Sequence, residues 1–80
     1  MNILLSKTSR KYLARCDLKT RAIIAMAIEG LPDKGDIRRL KGRIIKNTYR
    51  LRIGRYRVIY VGEADQIRIL DIDTRGDIYK

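Results

Sequence analysis

The stretch Tyr49-Arg50-Leu51-Arg52-Ile53-Gly54-Arg55-Tyr56-Arg57-Val58-Ile59-Tyr60 decides the fold. Successive side chains on a strand point to opposite faces. Tyr49, Leu51 and Ile53 therefore point one way, and Arg50 and Arg52 the other. A tight turn at Gly54-Arg55 returns the chain, after which Tyr56, Val58 and Tyr60 share one face and Arg57 lies on the other. The pattern predicts a β-hairpin with one apolar face to pack and one face of guanidinium groups. Arginine keeps its charge and offers a planar fork of donors to two oxygens, so the polar face suits phosphate. Nine basic residues and no acidic ones lie between Ile37 and Gly62. A solvated sheet face is the alternative for Arg50, Arg52 and Arg57, but such a face usually mixes signs.

The rest of the chain builds outward from this hairpin. Residues 48–53, 55–61 and 66–72 read as three strands, with Gly62-Glu63-Ala64-Asp65 as the second turn. Upstream, the apolar run 2–5 reads as a first strand, and Ser6 can cap a basic helix that begins near Lys7 and turns Tyr12 and Leu13 inward. Asp17 caps a second helix. There Ile24, Ala27, Ile28 and Leu31 recur at i, i+3, i+4, i+7, Ile23 widens the stripe, and Gly30 and Pro32 end it. Asp33-Lys34-Gly35-Asp36 is a turn, and residues 37–46 carry no decisive period, with a break at Gly42. The expected fold class is α+β: one domain over residues 1–80, with two N-terminal helices packed on one face of a small, mainly antiparallel four-stranded sheet, in the order β-α-α-β-β-β.

Composition narrows the partners. The net charge is +10, from 19 basic and 9 acidic residues, which implies nucleic acid, an anionic membrane surface or an acidic protein. No exposed apolar face lined with bulky aromatics is evident, which argues against a membrane-surface role. The single cysteine, Cys16, excludes an internal disulfide and fits a reducing, cytoplasmic setting. It reads as a small buried thiol, because a catalytic cysteine needs a base and the chain has no histidine. No signal peptide is expected, since Ile3-Leu4-Leu5 is too short for its apolar core, and the sequence holds no apolar run of membrane-spanning length.

Three segments together carry a resemblance: Leu40-Lys41-Gly42, the hairpin 49–60, and Asp73-Thr74-Arg75-Gly76-Asp77-Ile78-Tyr79. As a set they resemble the RelE/ParE superfamily of bacterial and archaeal toxins, the toxin halves of type II toxin–antitoxin pairs. The likeness runs over essentially the whole chain. It implies a RelE-like toxin that cuts mRNA on the ribosome and stops translation, held in check by an acidic cognate antitoxin. It equally allows a ParE-like inhibitor of DNA gyrase without nuclease activity, or an inactive relative that binds RNA or its antitoxin. Carried over by motif, the functional side chains of RelE-like toxins fall on Arg50, Arg52, Arg57, Arg75 and Tyr79. Where many relatives have Lys on the first hairpin strand this chain has Arg, and where many have Gly-His-Arg it has Asp73-Thr74-Arg75.

Metal-independent RNA cleavage by the 2′-hydroxyl needs a base, an acid for the leaving oxygen, and positive charge on the phosphate. With no histidine, Tyr79 is the candidate base. Its phenol needs several arginines nearby to bring it down from an ordinary pKa of about 10. Arg57 and Arg75 are the candidates for phosphate stabilisation, and Lys41, Arg50, Arg52 and Arg55 for holding RNA. Lys41 is also a candidate proton donor. A packed terminal aromatic is the alternative for Tyr79, and an ion pair with Asp71, Asp73 or Asp77 the alternative for Arg75. The spacing of Asp71 and Asp73, with Asp77, permits a hard-cation site, but no His or Glu completes a ligand set. No cofactor is expected.

Overall fold

The computed structural model describes residues 2–42 and 44–74. Its elements run β1 (Asn2–Leu5), α1 (Lys7–Arg15), α2 (Leu18–Glu29), β2 (Asp36–Arg39), β3 (Thr48–Ile53), β4 (Tyr56–Gly62) and β5 (Gln66–Asp73). The sheet has five strands in the order β1-β5-β4-β3-β2. Pairing is antiparallel throughout except that β1 runs parallel to β5.

The expected class holds, with one strand more than the sequence indicated. The extra strand is β2, in and beside the stretch that carried no period. Its one apolar residue, Ile37, pairs with Leu51 of β3, so main-chain pairing rather than side-chain pattern makes it a strand. It begins at Asp36, so the preceding turn is shorter than expected.

Both helix caps follow from side-chain chemistry. The Asp17 carboxylate accepts the Thr20 N–H at 2.9 Å, and hydrogen bonding from the Thr20 hydroxyl, with that N–H second, holds its pKa below the ordinary value. Ser6 Oγ accepts the Ser9 N–H at 3.0 Å and donates to the Leu70 carbonyl at 2.9 Å. Ser6 thus satisfies an orphan donor of α1 and ties the helix to β5. Ser6→Ala should destabilise the fold by about 1–2 kcal/mol. For a domain of this size that is a drop of several degrees or more in Tm, and an unchanged melting curve would remove the tie.

The hairpin packs as its alternation requires. Ile53 pairs with Tyr56, Leu51 with Val58, and Tyr49 with Tyr60, and all six belong to or pack on the core. Ile67, Ile69 and Ile72 extend this face on β5, and Ile24 and Ile28 of α2 close it from above. The switch from odd to even positions on β5 is made by a bulge. Ile59 pairs with Asp71 while Tyr60 pairs with Ile69, leaving Leu70 as the extra residue. Ile23 departs from its expected place: it is 46% exposed and, with Leu18 and Met26, gives α2 an apolar outer side. Cys16 is half-buried, its thiol donating to the Tyr12 carbonyl at 3.3 Å.

Candidate nucleic-acid interface

The sheet face away from the helices is built from strand register. Across the sheet, Asp36, Arg52, Arg57 and Asp73 stand in one row, and Arg38, Arg50, Ile59 and Asp71 in the next. Arg52 is therefore directly opposite Arg57, and Arg38 directly opposite Arg50. Like charges facing each other across strands are destabilising. The same two rows hold Asp36, Asp71 and Asp73, so this face mixes signs as a solvated surface does, and the four contiguous arginines at its centre are the part that a polyanion would engage.

The register also brings in what the local sequence window lacks. Asp36 and Asp73 lie outside the acid-free stretch, yet they flank the arginine block. Arg50 Nη2 lies 3.3 Å from Asp36 Oδ1, and Arg57 Nη2 lies 3.1 Å from Asp73 Oδ2. Each is a single contact rather than a two-pronged one. Arg50 Nε, Arg57 Nε and Asp73 Oδ1 are buried without a hydrogen-bond partner. Arg57 is thus held through Nη2, while its unpaired Nε is closed to solvent. The Arg50 side chain is 12% exposed, so it underlies the surface, whereas Arg38 and Arg52 are exposed on it.

Beside Arg57 the segment before β3 folds over the open face. Its position is held by main chain and by Thr48. The Thr48 hydroxyl donates to the Ile45 carbonyl at 2.7 Å, and the Leu40 N–H donates to the Thr48 carbonyl at 2.9 Å. The result is a cleft of about 530 Å³ lined by Gly42, Ile44, Ile45, Thr48, Arg57, Ile59, Leu70 and Asp71. Ile59 and Val61 are buried on this side of the sheet, and Ile44 projects fully into solvent.

Of the sequence candidates, Arg50, Arg52 and Arg57 meet on one face. Arg55 lies in the hairpin turn, and Lys41 is exposed in the segment after β2. Arg75, Tyr79 and Asp77 lie outside the described residues. Arg38 was not among the candidates. Recognising β2 would have found it, because it then faces Arg50. Two described tyrosines have displaced phenols, and both move upward. Tyr12 is raised chiefly by burial, against a lowering hydrogen bond from Thr74. Tyr60 is pushed up to about 12 by burial and by the neighbouring Tyr49. Both shifts run opposite to what a phenolate base requires. Asp73 is engaged by Arg57, and no group of three metal-ligating side chains forms among the described residues. No helix in the described residues is long and apolar enough to cross a membrane.

The chain belongs to the family described as ParE toxin of type II toxin–antitoxin system, parDE, whose model matches residues 3–79. It resembles the RelB–RelE antitoxin–toxin complex of Methanococcus jannaschii at 32% identity, over 95% of this chain and 94% of that one, with a TM-score of 0.74. It resembles the archaeal RelE–RelB complex of Pyrococcus horikoshii OT3 at 25% identity, over 94% of each chain, with a TM-score of 0.76. The toxin–antitoxin complex RelBE2 of Mycobacterium tuberculosis shares the fold at 22% identity, over 92% of this chain and 96% of that one, with a TM-score of 0.68. No curated protein gives a significant match. The protein is therefore a toxin of a type II toxin–antitoxin system, in the RelE/ParE family.

Proposed function

We propose that this toxin is a ribosome-dependent mRNA endonuclease that inhibits translation in the cytoplasm. The observation that carries the reading is the block of Arg38, Arg50, Arg52 and Arg57, two like-charged pairs set directly opposite each other on the open sheet face. Asp36 and Asp73 offset part of their mutual repulsion, and an RNA backbone relieves the rest. Arg57, whose side chain stays 27% exposed beside the cleft, is the group to meet the scissile phosphate. The likeness to RelE chains at 32% and 25% identity supports the same reading. Cleavage proceeds without a metal: the 2′-hydroxyl gives its proton to the base and attacks the adjacent phosphorus, the P–O5′ bond breaks, a 2′,3′-cyclic phosphate remains, and the leaving 5′-oxygen takes a proton, for which Lys41 is the candidate donor. Tyr79 and Arg75 keep their proposed roles as base and as second phosphate ligand, and Lys41, Arg50, Arg52 and Arg55 hold the RNA. The ribosome supplies alignment, which in such reactions contributes a large part of the rate. Cell-free translation followed by primer extension on the reporter message tests this. Cuts confined to translated message support it, and intact message removes it.

The family description, ParE toxin, favours a second reading: inhibition of DNA gyrase by binding, without RNA chemistry. Loss of gyrase supercoiling activity with intact message selects this one.

An acidic cognate antitoxin is the proposed partner in either case. The outer side of α2 exposes Leu18 and Met26, at 77% and 73%, together with Ile23. Exposed Arg15 and Lys19 border it. An apolar stripe with a basic rim fits an amphipathic acidic helix. The double substitution Leu18→Asp, Met26→Asp should weaken antitoxin binding at least about tenfold with little change in toxin stability. Calorimetry with the co-expressed partner reads this, and unchanged affinity places the antitoxin elsewhere.

A further inference from the structure

The cleft beside Arg57 has two ends of different chemistry. Its floor and sides are apolar, from Ile45, Ile59 and Leu70, with the exposed Ile44 at its rim and Arg57 and Asp71 as its charged residues. A volume of about 530 Å³ falls among pockets that enclose small ligands, which are mostly apolar with a few placed polar groups. Asp71 pairs with Ile59 and Asp73 with Arg57 across β4 and β5. Asp71 therefore stands one row, about 7 Å, along the sheet from the row that holds Arg57. Phosphate at Arg57 and a planar ring between the isoleucines place the ring's edge toward Asp71.

Asp71 differs from the other acids of this face. Asp36 and Asp73 are engaged by arginines, whereas Asp71 has no cationic partner among the described residues. Its Oδ1 accepts the N–H of Ile72 at 2.9 Å. An ionised carboxylate accepts and never donates, and it has about four lone-pair sites, so capacity remains for two further donors. Uracil offers one ring N–H between two carbonyls. Adenine and cytosine offer an amino group beside a ring acceptor. Guanine alone presents two adjacent donors, N1–H and the 2-amino group, matched to two carboxylate oxygens. Single-stranded RNA is commonly read in this way, with an unstacked base held between side chains and hydrogen-bonded on its Watson–Crick edge.

We infer that the cleft between Arg57 and Asp71 receives one unstacked base of the bound RNA, and that Asp71 selects guanine there. This rests on the proposal that the open face binds RNA. The test is an NMR titration of the isotopically labelled toxin with 3′-GMP, 3′-IMP and 3′-UMP, for the native chain and for Asp71→Asn. The native chain should bind 3′-GMP about five- to one-hundred-fold more tightly than 3′-UMP, as a good bidentate contact discriminates. 3′-IMP, which lacks the 2-amino group, should fall between them. Shifts should centre on Ile44, Ile45, Ile59 and Asp71. Asp71→Asn keeps an oxygen for the Ile72 N–H but offers a donor where guanine needs an acceptor. It should lose the preference while keeping affinity for 3′-UMP and its melting temperature. Equal affinities for the three nucleotides, a preference that survives in Asp71→Asn, or no binding because the cleft serves an apolar segment of the antitoxin would each overturn the inference. Cleavage of translated message is scored separately on the same samples. Guanine preference without cleavage removes the nuclease and leaves the pocket. Cleavage without preference removes the pocket and leaves the nuclease.

Discussion

Arg57→Ala is expected to abolish cleavage of translated message, with a loss of at least about 10²-fold. Removing one preorganised charged donor from a developing oxyanion typically costs that much. The structure adds a complication that the alternation pattern alone does not reveal. Arg57 is ion-paired to Asp73, whose side chain is 32% exposed, so alanine also strands a half-buried carboxylate. That should cost about 1 kcal/mol of stability, within the range for a lost polar partner in a partly solvated setting. Inactivity of the single variant is therefore open to two explanations, chemistry and folding. The double substitution Arg57→Ala, Asp73→Asn separates them. Neutralising Asp73 removes the stranded charge and should return most of the lost stability, read as recovery of Tm. If Arg57 meets the phosphate, the double variant stays inactive although it folds well. If its role is only to hold Asp73, activity returns with stability. Full cleavage by Arg57→Ala itself would remove Arg57 from the site.

The same pair shows where sequence reading stops. The hairpin was legible because its period is local: Tyr49, Leu51 and Ile53 on one strand and Tyr56, Val58 and Tyr60 on the other leave no second way to bury them. The inner stripe of α2 was legible for the same reason, and Ser6 and Asp17 were legible caps because their partners lie three residues away. Three features of the sheet were not. β2 has a single apolar residue, and the pairing that makes it a strand lies on β3. The bulge at Leu70 changes which side of β5 is buried, and a period-2 reading runs straight through it. The acids of the arginine face come from 14 residues before Arg50 and 16 residues after Arg57. A charge count over any local window misses them, because register rather than proximity in sequence puts them there. The arginine face was therefore predictable in its cations and opaque in how those cations are held. The exposed outer side of α2 was missed for a different reason. Apolar residues on both sides of a helix look like one wide stripe until the packing shows which side is covered.

Tyr60→Ala should be the most damaging single change to the fold, costing about 3–5 kcal/mol, as large aromatic-to-alanine truncations in packed cores do. Tyr60 is the largest of the fully buried side chains, at 1% exposure. It stacks on Tyr49 with ring centroids 5.3 Å apart and an interplanar angle of 19°. Its pairing with Ile69, next to the bulge, makes it the point where the hairpin, β5 and the α2 residues Ile24 and Ile28 share one core. Alanine removes the ring, the stack and the filling of that junction together. A domain of this size is stabilised by roughly 4–12 kcal/mol in total, so the variant should lie near the edge of folding, with a midpoint in urea far below that of the native chain. The ionisation of the same residue gives an independent check in the intact protein. Burial and Tyr49 raise the Tyr60 phenol to about 12, from an ordinary value near 10 in the unfolded chain. A raised folded pKa means that the native state holds this proton more tightly. The associated stability is then fully present below about pH 10 and is lost as pH rises from there through about 12. Phenolate absorbance should therefore show one tyrosine titrating last, together with loss of the folded signal. Titration of all tyrosines near pH 10 without unfolding, or a Tyr60→Ala variant as stable as the native chain, would show that Tyr60 is not the keystone of this core.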